Sequence, residues 1–203
     1  MAKSDLETSA GSGSTTGGAK HYSPNAVHMM RTAQLNTLQL SQMADHKASI
    51  LLGRFFDTEM HRQLPIEGAI DGINALAEHA DVVILTNLND ERQERRTRQL
   101  ADHGIAARVF TNQGPKGPAL KAILDEYAPS RAVFIDDLPQ HHHSAAEVVP
   151  EVRRLHLCGE PLLAPHIDCA HRAGHAHARI DTWAEALPWL LEQLDAEHTK
   201  EHA

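Results

Sequence analysis

From Asp81 onward the chain repeats one unit: a short apolar run, a polar break, then a helical stretch. Asp81–Thr86 (DVVILT), Ala107–Thr111 (ARVFT), Arg131–Asp136 (RAVFID) and Val152–Leu157 (VRRLHL) are each too short for a buried helix and read as strands. Helical spacing fills the intervals, through Ile66–His79, Asp90–Asp102, Pro118–Tyr127, Ser144–Val149 and Thr182–Leu194. Gly104 stands where the second of these helices should end. Strands alternating with helices at this interval predict an α/β fold, a doubly wound, Rossmann-like parallel sheet covered on both faces. Few other architectures are open to such a rhythm.

The rest of the chain divides around that block. Residues 1–22 are polar and rich in Gly, Ser and Thr, the composition of a disordered tail, and 197–203 read as a second tail. Ser23-Pro24 is a helix-start signal, and the stretch from Asn25 to Arg62 holds one glycine and no proline. The sequence therefore predicts a long N-terminal helix, or two, over 23–62, followed by the α/β domain over 63–196.

Composition excludes several function classes. With 203 residues and 41% apolar content the chain can bury one sizeable core. A formal net charge of -8, without a basic stripe, argues against nucleic acid as partner. No apolar run approaches the ~20 residues that span a bilayer, so membrane contact is not expected. The N-terminus has no apolar signal core and there are only two cysteines, which together predict a cytoplasmic protein.

In a doubly wound sheet, chemistry sits just past the carboxyl ends of the strands. Strand VVIL ends in Thr86-Asn87 and strand AVFI in Asp136-Asp137; between them Gly114-Pro115-Lys116-Gly117 precedes a helix. A hydroxyl and an amide can hold phosphoryl oxygens. A lysine supplies charge to an anion, and paired carboxylates suit a hard cation. This order, VVILTN then GPKGPAL then AVFIDDLPQ, resembles the second, third and fourth motifs of the haloacid dehalogenase (HAD-like) hydrolase superfamily, over about residues 54–195. IEGAIDGINALAE also resembles the helix that precedes the second motif. The resemblance implies a Mg²⁺-dependent phosphatase of small phosphorylated molecules. It gives Thr86 and Lys116 catalytic roles, Asn87 a substrate contact, and Asp136 and Asp137 the metal. A doubly wound domain of other function, with merely polar strand ends, is the competing reading.

One family motif has no counterpart. Family members begin with a strand ending in Asp-x-Asp, whose first Asp is the nucleophile, and no apolar strand followed by that motif precedes Thr86. By the same analogy the missing central strand belongs between VVIL and AVFI. The nearest substitute is Asp57 in ILLGRFFDTE, with Glu59 as second acid; the same segment also reads as a run leading out of a helical insert. Without a nucleophile the remaining groups would bind phosphate or Mg²⁺ without turnover.

The segment YSPNAVHMMRTAQLNTLQLSQMADHKASILLG resembles the start of the transmembrane effectors of bacterial pyrimidine-cyclase (Pycsar) anti-phage systems, through Ala44-Asp45-His46-Lys47-Ala48 and Ile50-Leu51-Leu52. The expected apolar span does not follow, since Arg54, Asp57 and Glu59 interrupt it. Either the chain is a fusion with its seam near 52–54, or this is an ordinary helical appendage. The resemblance implies a non-enzymatic defence or signalling role as the alternative function, with self-association through the helix.

Sixteen histidines complete the picture. His141-His142-His143 reads as a surface loop near the mouth of the site. Cys158, Cys169 and the histidines of segment 156–177 are competent Zn²⁺ ligand types, but their spacing fits no closed pattern, and a solvated loop is expected there. Asp90–Arg98 reads as a solvated mixed-charge face, and Trp183 and Trp189 as residues packed on the sheet.

Overall fold

The computed structural model describes residues 26–30 and 54–195. They form a six-stranded, all-parallel sheet in which helices follow strands, as the rhythm of the sequence predicts. The strands are β1 (Ala26–Met30), β2 (Asp81–Thr86), β3 (Arg108–Thr111), β4 (Arg131–Asp136), β5 (Arg153–His156) and β6 (Ala178–Arg179). The helices are α1 (Ala69–Leu76), α2 (Gln93–Asp102), α3 (Gly117–Tyr127), α4 (Pro139–Val148) and α5 (Trp183–Asp195). Spatial order across the sheet is β3-β2-β1-β4-β5-β6.

The N-terminal segment corrects two expectations. Ala26–Met30 is not the first turn of a helix but the central strand, pairing Val27 with Asp81 on β2 and with Ala132 on β4. The place between VVIL and AVFI is thus filled, and by the segment directly after Ser23-Pro24. An isolated capping signal competes poorly with two complete ladders of backbone hydrogen bonds on either side. The tails at 1–22 and 197–203, the Ala44–Leu52 helix, the seam near 52–54 and any self-association through that helix lie outside the described residues.

Period-two alternation along the strands feeds a separate core on each face of the sheet. Ile84, Val133, Ile135 and Leu155 face α1, α2 and α5 through Ile73, Leu76, Leu100, Trp183 and Leu190. Val83, Leu85 and Phe134 face α3 and α4 through Leu120, Ile123 and Ala145. Trp183 is buried as expected, but its ring lies against Gly72 of α1, which has no side chain to hold it off. On the other face α3 and α4 touch at Gly117. Its N–H donates to Ser144 Oγ at 3.0 Å, and a Cβ there would come within 2.3 Å of the Ser144 carbonyl oxygen.

Two further expectations change. His141 to His143 lie within α4, with His141 and His142 buried, because Pro139 in the first turn starts the helix earlier than Ser144. The mixed-charge face of α2 is only partly solvated. Arg98 pairs with Glu94, but Arg96 is buried and bonds to Gln99 and Gln63. Among the described residues no helix is long and apolar enough to cross a membrane.

Candidate active site

The chain reverses direction across the sheet between β1 and β4, and the crevice at such a switch point is where doubly wound sheets bind ligands. Strands β2 and β4 flank β1, so their carboxyl ends lie roughly 10 Å apart. Lys116 bridges that distance. Its ammonium donates to the Leu85 carbonyl of β2 at 2.8 Å and to Asp136 Oδ2 of β4 at 2.6 Å, which places it over the end of β1. Both side chains are fully buried.

Local sequence explains how a lysine reaches this position. After β3, Asn112 donates its backbone N–H to the Thr86 carbonyl at 2.9 Å, turning the chain back over β2. Gly114 then takes a φ of 98°, which a side chain would resist, and Lys116 opens α3. Asp136 is the last residue of β4. Its Oδ1 accepts the Leu138 N–H at 2.8 Å, a tight turn that aims Oδ2 at Lys116.

Thr86, Lys116 and Asp136 are therefore brought together at adjoining strand ends, and all three are buried. Asp137 follows on the same turn, half-buried. Asn87, next in sequence after Thr86, bonds to the lysine-bearing loop. Its Nδ2 donates to the Gly114 carbonyl at 3.0 Å, and its Oδ1 accepts from Asn112 Nδ2 at 3.0 Å. It holds the lysine-bearing loop. Asp57 lies on a helical turn, at the exposed surface. There Arg92 grips its carboxylate with two hydrogen bonds of 2.9 Å, and Arg95 approaches to 3.6 Å. The bonded Arg92 guanidinium holds the Asp57 carboxyl below its ordinary pKa.

The sequence reading missed the layer beneath the Asp pair. His142 Nε2 lies 2.9 Å from the Asp136 carbonyl oxygen, and His156 Nε2 lies 3.1 Å from that of Asp137. Burial drives the His142 pKa down to about 4 against the opposing pull of Asp136, and burial also lowers that of His156. Cys158 lies 3.5 Å from the Asp137 carbonyl, its thiol pushed up to about 12 by burial. The only signals in the sequence were a histidine run that begins four residues past Asp137 and a histidine ending strand β5.

The Mg²⁺ implied by the motif order would fall to Asp136 and Asp137. Asp136 already neutralises an ammonium and accepts an amide proton, and among the described residues no group of three or more His, Cys, Asp or Glu side chains could hold a metal. These residues alone do not fit a tight Mg²⁺ site. The Cys and His side chains of segment 156–177 form no such group among the described residues either.

Strand order and crevice together define a class of fold: a doubly wound domain with a lysine–aspartate pair at its switch point. Solved structures agree with that fold. A haloacid dehalogenase-like hydrolase from Burkholderia xenovorans is similar with a TM-score of 0.55 at 17% identity, covering 78% of this chain and 72% of that one. A haloacid dehalogenase-like family protein from Streptococcus pneumoniae gives 0.60 at 9% identity, covering 82% and 98%. A haloacid dehalogenase-like protein from Agrobacterium tumefaciens gives 0.54 at 17%, covering 76% and 74%. No protein-family model and no curated protein sequence matches the chain.

Proposed function

We propose that this chain is a phosphohydrolase scaffold of the HAD type that binds small phosphorylated molecules or phosphate at its switch point and has lost turnover. The observation that carries the reading is the buried Lys116–Asp136 pair spanning the ends of β2 and β4. A buried ammonium at a strand-end crevice offers a phosphoryl oxygen a charge-assisted hydrogen bond. The Thr86 hydroxyl lies at the neighbouring strand end.

Loss of turnover follows from the strand between them. β1 is described as far as Met30, which pairs with Ile135 beside the end of β4. In HAD-like phosphatases the nucleophilic Asp directly follows this strand in sequence. In this chain Arg31-Thr32-Ala33 follow Met30 in sequence, and no carboxylate occurs from Ala26 until Asp45. Asp57, gripped by Arg92, is poorly placed to take over. An aspartyl-phosphate intermediate then has nowhere to form.

The test is hydrolysis of an aryl phosphate with Mg²⁺, beside isothermal titration with inorganic phosphate. The unmodified chain should bind phosphate and show no turnover, and Thr86→Val should weaken binding several-fold. Restoring the acids with Arg31→Asp and Ala33→Asp should create Mg²⁺-dependent hydrolysis. Turnover by the unmodified chain that disappears in Asp57→Asn would overturn the reading and make Asp57 the nucleophile.

A further inference from the structure

The two histidines beneath the Asp136–Asp137 turn are more than core filling, because their protons are assigned by their neighbours. The Ala170 N–H donates to His156 Nδ1 at 3.1 Å, so that nitrogen carries a lone pair and the ring proton must sit on Nε2. Nε2–H then donates to the Asp137 carbonyl at 3.1 Å, with Cys158 Sγ equally near at 3.1 Å. For His142 the assignment comes from the other nitrogen: Nε2 faces the Asp136 carbonyl, which can only accept, so Nε2 carries the proton; its Nδ1 is buried without a hydrogen-bond partner among the described residues. The rings stand 5.2 Å apart, so one clamp adjoins the other.

Two clamped carbonyls have a geometric consequence. His142, with the Leu157 N–H that donates to the same carbonyl at 3.0 Å, fixes the peptide plane between Asp136 and Asp137, and His156 holds the plane between Asp137 and Leu138. Together the planes set the backbone angles of Asp137 and hence the direction of its side chain. The second plane also carries the Leu138 N–H, which donates to Asp136 Oδ1 and leaves Oδ2 for Lys116. A continuous path of bonds thus runs from the Ala170 amide through His156 and Leu138 to the Lys116 ammonium.

We propose that His142 and His156 are positioning residues that clamp the Asp136 and Asp137 carbonyls, so that the Asp136 carboxylate is held on Lys116 and the ammonium is set at the anion site, with the segment after Cys158 serving to fix the tautomer of His156. The role deepens the phosphate-binding function proposed above and rests on it. It also gives the His- and Cys-rich segment a purpose other than metal binding.

The test uses the full chain as unmodified protein, His156→Gln and His156→Leu. Glutamine places an amide donor close to where Nε2–H lies, and leucine fills the space without one. Nitrogen NMR of the unmodified protein should show His156 protonated at Nε2 and bare at Nδ1. His156→Leu should move the carbonyl ¹³C resonance of Asp137 and the carboxyl ¹³C resonance of Asp136, and weaken inorganic phosphate binding about tenfold. His156→Gln should restore all three. Failure of the unmodified protein to bind phosphate would remove the function while the two carbon resonances still decide the clamp. If those resonances stay in place in a folded leucine variant, the clamp is overturned. Should the leucine variant not fold, a proton found on Nδ1 of the unmodified protein overturns it equally.

Discussion

At Lys116 and Asp136 the balance of forces is set by burial. Each charge alone would face a desolvation cost of several kcal/mol, and each is tolerable because the other is 2.6 Å away. Lys116→Met should therefore destabilise the fold by about 3–5 kcal/mol, since it strands a buried carboxylate. Lys116→Met combined with Asp136→Leu should recover much of that loss, and chemical denaturation of the two variants checks both statements. His142 supplies a pH dependence. Its folded pKa, about 4, lies below the ordinary histidine value, so the unfolded chain binds the proton more readily. Stability from this group is complete above pH ~6.5 and is lost as pH falls toward 4. The slope amounts to about 3 kcal/mol over that window. Denaturant midpoints at pH 7 and pH 4.5 should differ accordingly, and His142→Phe should flatten the difference.

Among the elements, α3 and α4 meet at a contact with no room to spare. Gly117 donates its N–H to Ser144 Oγ and lies against the Ser144 backbone, so a methyl group cannot be accommodated by a side chain swinging aside. Gly117→Ala should push the start of α3 away from the sheet and shift Lys116 with it. We expect a loss of about 2–4 kcal/mol, of the order of core overpacking or worse, read as a lowered melting temperature together with weaker phosphate binding. The elements differ in how legible they were. Strands β2 to β5 could be read because each is a short apolar run between polar breaks, and Lys116 with Asp136 because strand-end position carries meaning in this architecture. Strand β1 could not. AVHMM is only five residues, has a histidine at its centre, and follows a serine and proline that locally favour a helix. Only its neighbours on both sides decide its state. The clamp of His142 and His156 was equally hidden, because the two residues come from different elements and meet only once α4 packs on β5. Local pattern reports periodicity, and cannot report which carbonyl a ring nitrogen will find.

For the molecule as a whole, β1 is the keystone of the sheet, holding β2 on one side and β4 on the other. A proline in its middle removes a ladder hydrogen bond at the most buried position a strand can have. His28→Pro should therefore abolish cooperative thermal unfolding altogether rather than lower the midpoint by a few degrees, and calorimetry would show it. A sheet retaining a normal transition after that change would mean that β2 and β4 do not depend on β1. The same placement shapes how the chain comes into being. Of the described strands the central one is made first, yet it has no partner until Asp81–Ile84 emerges and lacks its second until Arg131–Ile135 is made. During that interval its backbone groups are open on both edges, the condition under which nascent chains associate with one another. Most of the sheet's contacts can form only after β1 has been made, so this protein should fold slowly for its size and gain more than most from whatever shields β1 while the other strands are translated.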